Sequence, residues 1–191
     1  MSANGESMEP IGRGSGSVFT PTTPSVFETA GDPVVVGTKE IAGVIAAARA
    51  AANGRARLIL HGGAADSLHE MVIAIPPASC DHPHINFKSG KSFLALSGQF
   101  AVMRFSADGA AIEAIVLSAG TWPGARMARL QAAAWHTIIP LAGETAFLET
   151  IIGPFEGNQW APWFPGENDP AGRERFAARL RQIARDAAAR L

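Results

Sequence analysis

Residues 93–117 read FLALSGQFAVMRFSADGAAIEAIVL, and this stretch decides the fold. Three apolar runs, 93–96, 100–105 and 112–117, are interrupted at Ser97-Gly98 and at Asp108-Gly109. Asp-Gly between two apolar runs is a strong hairpin signal, because glycine accepts the positive φ that a tight turn requires. The stretch therefore reads as antiparallel β-structure.

The same punctuation continues outward. Runs at 57–60 and 70–75 precede it, the second closed by Pro76-Pro77. Runs at 135–141 and 145–152 follow and read as a hairpin turning at Gly143. Short strands at regular spacing indicate a sandwich or barrel, not a parallel α/β sheet. Helical periodicity lies at the two ends. Ile41, Val44, Ile45 and Ala48 form one stripe, with Thr38 as the expected N-cap and Asn53-Gly54 as the stop. Asp169-Pro170 opens a second helix, with Asp as cap and Pro at the first helical position. Its apolar stripe is Phe176, Leu180, Ile183, Ala187 and Leu191, and six arginines between 173 and 190 read as its solvated face.

Three segments follow. Residues 1–31, rich in Gly, Ser, Thr and Pro, are expected to form a flexible or surface-hugging extension that Phe19 and Phe27 could pin to the body. Residues 32–168 hold the β-sandwich, with 34–36 as a candidate edge strand. Residues 169–191 form the C-terminal amphipathic helix.

Bulk properties narrow the function. The 191 residues are 47% hydrophobic and 17% charged, enough for a substantial core. A net charge of -1 offers no field for nucleic acid or an acidic membrane, so neither is expected as a partner. One cysteine cannot make an internal disulfide, and no secretory signal or membrane span is apparent, so a cytoplasmic location is expected.

The chemistry-bearing stretch is Cys80-Asp81-His82-Pro83-His84-Ile85-Asn86. In an extended strand Cys80, His82, His84 and Asn86 would share a face. Two imidazoles so placed can bind one divalent ion, and His136, between Trp135 and Thr137, would add a third. A lone histidine on an apolar strand is usually structural; an HxH some fifty residues earlier changes that balance.

These residues resemble the two motifs of the cupin superfamily. His82-Pro83-His84 matches the first histidine pair and Gly98 the glycine that follows, while the run 130–136 is similar to the second motif without its Pro and Gly. Arg57-Leu58-Ile59-Leu60-His61, Phe147-Leu148-Glu149, Gly153-Pro154-Phe155 and Ala161-Pro162-Trp163 narrow the resemblance to WbuC-type cupin metalloproteins, over about residues 38–168. It implies a mainly β fold, a cupin-type double-stranded β-helix (jelly-roll sandwich) with flanking helices. It also implies a divalent transition metal (zinc, nickel, iron or manganese) on His82, His84 and His136, and a homodimer.

One departure matters. The family's glutamate ligand stands seven residues before the glycine, where this chain has Lys91, which cannot coordinate while protonated. Cys80, Asn86 or Glu149 could supply a further ligand, or the metal could be lost. As a thiolate Cys80 would favour zinc; otherwise it is a small buried hydrophobe. Glu149 is also the candidate acid–base residue. Lys91, Asn86 and Trp135 are candidate pocket residues, and Arg57, Lys88 and Arg104 are weaker candidates for meeting an anion. His61 and His69 read as structural or exposed, and Trp160 and Trp163 as packing.

Two functional classes lead, ahead of a purely structural dimer paired through its sheet edges. One is a metal-dependent enzyme of unassigned activity on a small sugar-like or carboxylate substrate, with a loose link to surface-polysaccharide biosynthesis implied by the resemblance. The other is a non-catalytic module that binds a small ligand, with a degenerate or absent metal site, where Lys91 would pair with an anion.

Overall fold

A computed structural model gives the fold and describes residues 9–12, 16–87 and 89–191. The elements in chain order are β1 (Thr20–Thr23), β2 (Val26–Glu28), α1 (Thr38–Ala50), β3 (Ala56–Ile59), β4 (Leu68–Ile75) and β5 (His84–Ile85). They continue with β6 (Lys91–Phe105), β7 (Ala111–Ser118), β8 (Met127–Leu130), β9 (Trp135–Ile152), β10 (Gln159–Trp160) and α2 (Pro170–Ala188). The chain is mainly β, a jelly-roll sandwich of cupin type with a helix on each side.

Two long strands organise it. β6 and β9 run antiparallel along their whole length, from Lys91↔Ile151 to Phe105↔Trp135. The two halves of β9 therefore do not form the hairpin expected around Gly143. Gly98 (φ +70°) and Gly143 (φ +66°) instead bend two continuous strands, and the ladder shifts register around Ser97–Phe100. A Cβ built on Gly143 would stand 3.5 Å from Gly98 Cα, so the two bends are close neighbours. β4 continues the sheet beyond the C-terminal half of β9, and β5 pairs with its N-terminal end. β7 and β8 extend β6, and the parallel β2–β3 pair makes the sheet mixed.

Side-chain alternation then sorts the core. On β4, Val72 and Ala74 face α1, while Ile73 and Ile75 face the interior. On β6, Phe100 and Val102 point inward and Ala101, Met103 and Phe105 pack under α2 with Leu180 and Ala184. Burial on both faces is why 100–105 is nearly all apolar. Phe93, Phe100 and Phe147 fill the closed half of the interior.

The α2 cap is as expected: Asp169 Oδ1 accepts from Gly172 N–H at 2.7 Å. The buried stripe of α2 centres on Ala177, Leu180 and Ala184, and Leu191 is exposed. The N-cap of α1 is Gly37 rather than Thr38; Gly37 N–H donates to the buried Glu40 carboxylate at 2.7 Å. Residues 34–36 form no strand. The sheet edge is made instead by β1 and β2, within the stretch expected to be a flexible extension. Phe19 and Phe27 are fully buried beside Leu58 and Val44, each contributing on the order of 2–3 kcal/mol, and so tie this segment to the body.

Candidate functional site

The inward faces of β3, β4, β6 and β9, with residues of β2, β5 and β10, line a cavity of about 580 Å³. Arg57 and Ile59 come from β3, His69, Met71 and Ile73 from β4, Lys91 from β6, and Glu149 and Ile151 from β9. His84 and Trp160, with Arg55, His61 and Phe155, complete much of the wall. Three cationic side chains (Arg55, Arg57, Lys91) and two carboxylates (Glu28, Glu149) line it, so its charge balance is positive.

The polar centre is built around Lys91, whose side chain is only 5% exposed. Its Nζ lies 3.1 Å from His84 Nε2 and 3.5 Å from Glu149 Oε2. Burial holds its ammonium below the ordinary lysine range, and Glu149 partly offsets this. His84 and His136 are opposite each other on one β5–β9 rung, with ring centroids 4.4 Å apart. His84 Nδ1–H points to the His82 carbonyl at 3.3 Å and His136 Nδ1–H to the Ala134 carbonyl at 2.8 Å. Each imidazole thus keeps an Nε2 lone pair. That of His84 accepts from Lys91, while that of His136 is buried without a partner. Burial, then the Lys91 charge, pushes His84 down to about 2 and His136 to about 4, so both rings are neutral.

His82 is not brought to this point. Its Nε2–H donates to the Ala161 carbonyl at 3.0 Å, and its ring packs on Phe164 (4.3 Å) and Trp160 (5.3 Å). The expected shared face of 80–86 does not form, because regular pairing is limited to His84–Ile85, after Pro83, which has no N–H for a ladder.

Other candidates also fall elsewhere. Cys80 packs against the α2 cluster, and burial raises its thiol to about 11, as for a small hydrophobe and not a thiolate ligand. Asn86 donates to the Gly157 carbonyl (3.0 Å) and Asn158 Oδ1 (2.8 Å), so it fastens the loop after β9 and lines a neighbouring cavity, not the Lys91 pocket. Trp135 lies 6.0 Å from Trp163 under α2; next to His136 on one strand, it must face the other way. Arg104 pairs with Glu113 at 2.6 Å on the partly exposed β6–β7 hairpin. Lys88 lies outside the described residues.

Four further residues line the pocket: Arg57, a weaker anion candidate from sequence, and His61, His69 and Trp160, which sequence reads as structural, exposed or packing. Arg57 points inward, and its Nε is buried without a partner. His61 and His69 stack at 4.1 Å and line the cavity, with His69 buried. Trp160 lines it as well, since β10 pairs with β5.

A resident divalent ion does not fit this arrangement. Among the described residues, no three His, Cys, Asp or Glu side chains are grouped to hold one. His82 is turned away, and the Lys91 amino group stands beside the lone pair of His84 that would have to coordinate. The donors present suit an ammonium.

A β-sandwich of cupin type with a lysine-centred pocket is the class these observations define. A family profile described as a domain of unknown function (DUF6016) matches residues 36–117. No curated protein matches. Among solved structures, the chain is similar to an oxalate oxidase in complex with the substrate analogue glycolate, at 14% identity and a TM-score of 0.46, covering 70% of this chain and 74% of that one. It is also similar to the Bacillus subtilis oxalate decarboxylase with Mn(II) centres (14%, TM-score 0.41), covering 50% of this chain and 24% of that one. A third is KdgF from Halomonas sp. (13%, TM-score 0.41), covering 51% of this chain and 79% of that one. The chain thus spans about a quarter of the decarboxylase. At these values the likenesses carry no conclusion about chemistry. Among the described residues no helix is long and apolar enough to cross a membrane.

Proposed function

We propose that this protein binds a small organic anion, a carboxylate, in the pocket around Lys91, with the lysine ammonium in the role a metal would otherwise have. The observation that carries this reading is the placement of Lys91: a buried cation on a cavity wall, with Arg57 on the same inward face and a loose ion pair to Glu149. A buried charge is costly unless it is paired. An anionic ligand would pair with Lys91 and Arg57 together while its carbon frame met Ile59, Met71, Ile73 and Trp160. Arg57 offers planar paired donors for a carboxylate, and Lys91 a point charge. The WbuC-type resemblance, with its loose link to surface polysaccharides, makes sugar acids the first ligands to try.

Thermal shift and calorimetry with sugar acids and small mono- and dicarboxylates test the reading, against their neutral alcohol or amide counterparts. A ligand that binds only the folded state raises the melting temperature. Acids are expected to do so and the neutral counterparts not, with the shift lost in Lys91→Met and Arg57→Met. Equal shifts from acids and neutral analogues would rule out a cationic binding site.

A further inference from the structure

Lys91 combines three features that suit a nucleophile as well as an electrostatic anchor. Its amino group lines a cavity and is therefore within reach of a ligand. It is held by a side chain almost wholly buried, so its position is fixed. The Glu149 carboxylate, 3.5 Å away, can exchange a proton with it through one water or after a small approach. A positioned lysine amine with an adjacent carboxylate is the equipment for covalent capture of a carbonyl. Arg57, on the same inward face, adds a carboxylate-binding group.

From this geometry we infer that Lys91 captures the carbonyl of a 2-oxo acid as an imine, with the acid's carboxylate held by Arg57. The inference rests on the anion-binding reading above and assigns its ligand class. Glu149 first takes a proton from the Lys91 ammonium, which frees the Nζ lone pair to bond to the carbonyl carbon as the C=O π pair moves to oxygen. A second N–H proton passes to that alkoxide and gives the carbinolamine; the proton held by Glu149 then goes to the hydroxyl, which leaves as water. Ammonium and ketone thus become protonated imine and water, Glu149 ends as the carboxylate it began as, and no oxidant, reductant or second substrate is needed. Ile59, Met71 and Ile73 line the same cavity and offer apolar contacts to the carbon frame of the acid.

The experiment is reductive trapping of the full chain. Pyruvate and 2-oxoglutarate are each added with borohydride, and the products are measured by intact mass and peptide mapping. The chain has three lysines, at 39, 88 and 91, so the site is read directly from the wild-type protein. The expected result is one adduct per chain, with the mass of the oxo acid less one oxygen, on the peptide containing Lys91. A tenfold excess of lactate, which has the carboxylate but no carbonyl, should reduce it several-fold. In Lys91→Arg, which keeps the charge, the adduct should vanish. No adduct, or one spread over Lys39, Lys88 and the N-terminus, overturns the inference, while a thermal shift with pyruvate in the same samples leaves the anion site standing. If neither oxo acids nor any other carboxylate shifts the melting temperature, the anion-binding reading fails and the inference with it.

Discussion

His84 and His136 face each other across one rung of the β5–β9 ladder, and of the two Lys91 donates only to His84, leaving His136 Nε2 buried and unpaired. Two imidazole lone pairs and one carboxylate are thus gathered about an amino group. The arrangement has the donor chemistry of a cation site and already contains a cation.

Metal content follows from that placement. Two unit charges 4 Å apart repel by about 4 kcal/mol at an effective dielectric of 20, so a divalent ion beside the Lys91 ammonium would meet on the order of 8 kcal/mol. Protein purified without a metal-affinity tag is expected to hold well below one equivalent of zinc, nickel, iron or manganese by elemental analysis. One equivalent in the wild type, released by both His84→Ala and His136→Ala, would show that the ammonium does not exclude metal.

His82 should behave differently from its HxH partner. Its hydrogen bond to the Ala161 carbonyl and its packing on Phe164 fasten the 159–164 segment. His82→Ala is expected to cost about 1–2 kcal/mol of stability, read from urea midpoints, while carboxylate affinity changes by less than a few fold. His84→Ala removes an acceptor of Lys91 and should weaken binding tenfold or more. Equal binding losses in both variants would mean that the two histidines act at one point after all.

Acid sensitivity has a defined sign. The folded-state pKa of His136, about 4, and of His84, about 2, both lie below the ordinary 6.5. Below pH 6.5 the unfolded chain therefore binds more protons than the folded one, and stability present above that pH is lost as pH falls toward 4. His136 alone corresponds to about 3 kcal/mol across this window. Urea unfolding between pH 7 and 4 should show the decline, and His136→Gln should flatten it. An unchanged slope in that variant would place the sensitivity elsewhere.

Much of this structure could be read from the sequence, and the failures share a cause. The Asp108-Gly109 hairpin, the Asp169 cap and the β-sandwich class all follow from local rules, because turn and cap chemistry acts within a few residues. Alternation, applied strictly, also separates Trp135 from His136. The fate of His82 was hidden because Pro83 and the 159–164 segment, distant in sequence, decide where its ring goes. Arg57 reads only as a weaker anion candidate, because a charged residue between apolar neighbours usually marks a solvated face. Here Ala56 and Leu58 face α1, and the opposite face, carrying Arg57, lines the pocket. Lys91 could be located from sequence as the replacement for a ligand. Only the fold shows what it contacts.

Gly98 and Gly143 look in sequence like breaks between strands, but each bends one continuous strand, and that role gives the last prediction. Gly98 has φ +70°, and a Cβ there would stand 2.6 Å from the Glu144 carbonyl oxygen and 2.9 Å from that of Ala142. These are backbone atoms of the partner strand and cannot rotate away. The left-handed backbone alone disfavours a side chain by about 1–2 kcal/mol, and the clash adds to it, so Gly98→Ala should cost at least 3 kcal/mol. Gly143 differs: its Cβ would first meet the tip of the Trp122 side chain at 2.8 Å, and that indole is partly exposed and can move. Gly143→Ala is therefore expected to cost about half as much, and Gly143→Asn less again, since Asn tolerates positive φ. Equal urea midpoints for Gly98→Ala and the wild type would show that β6 does not need its bend at this residue.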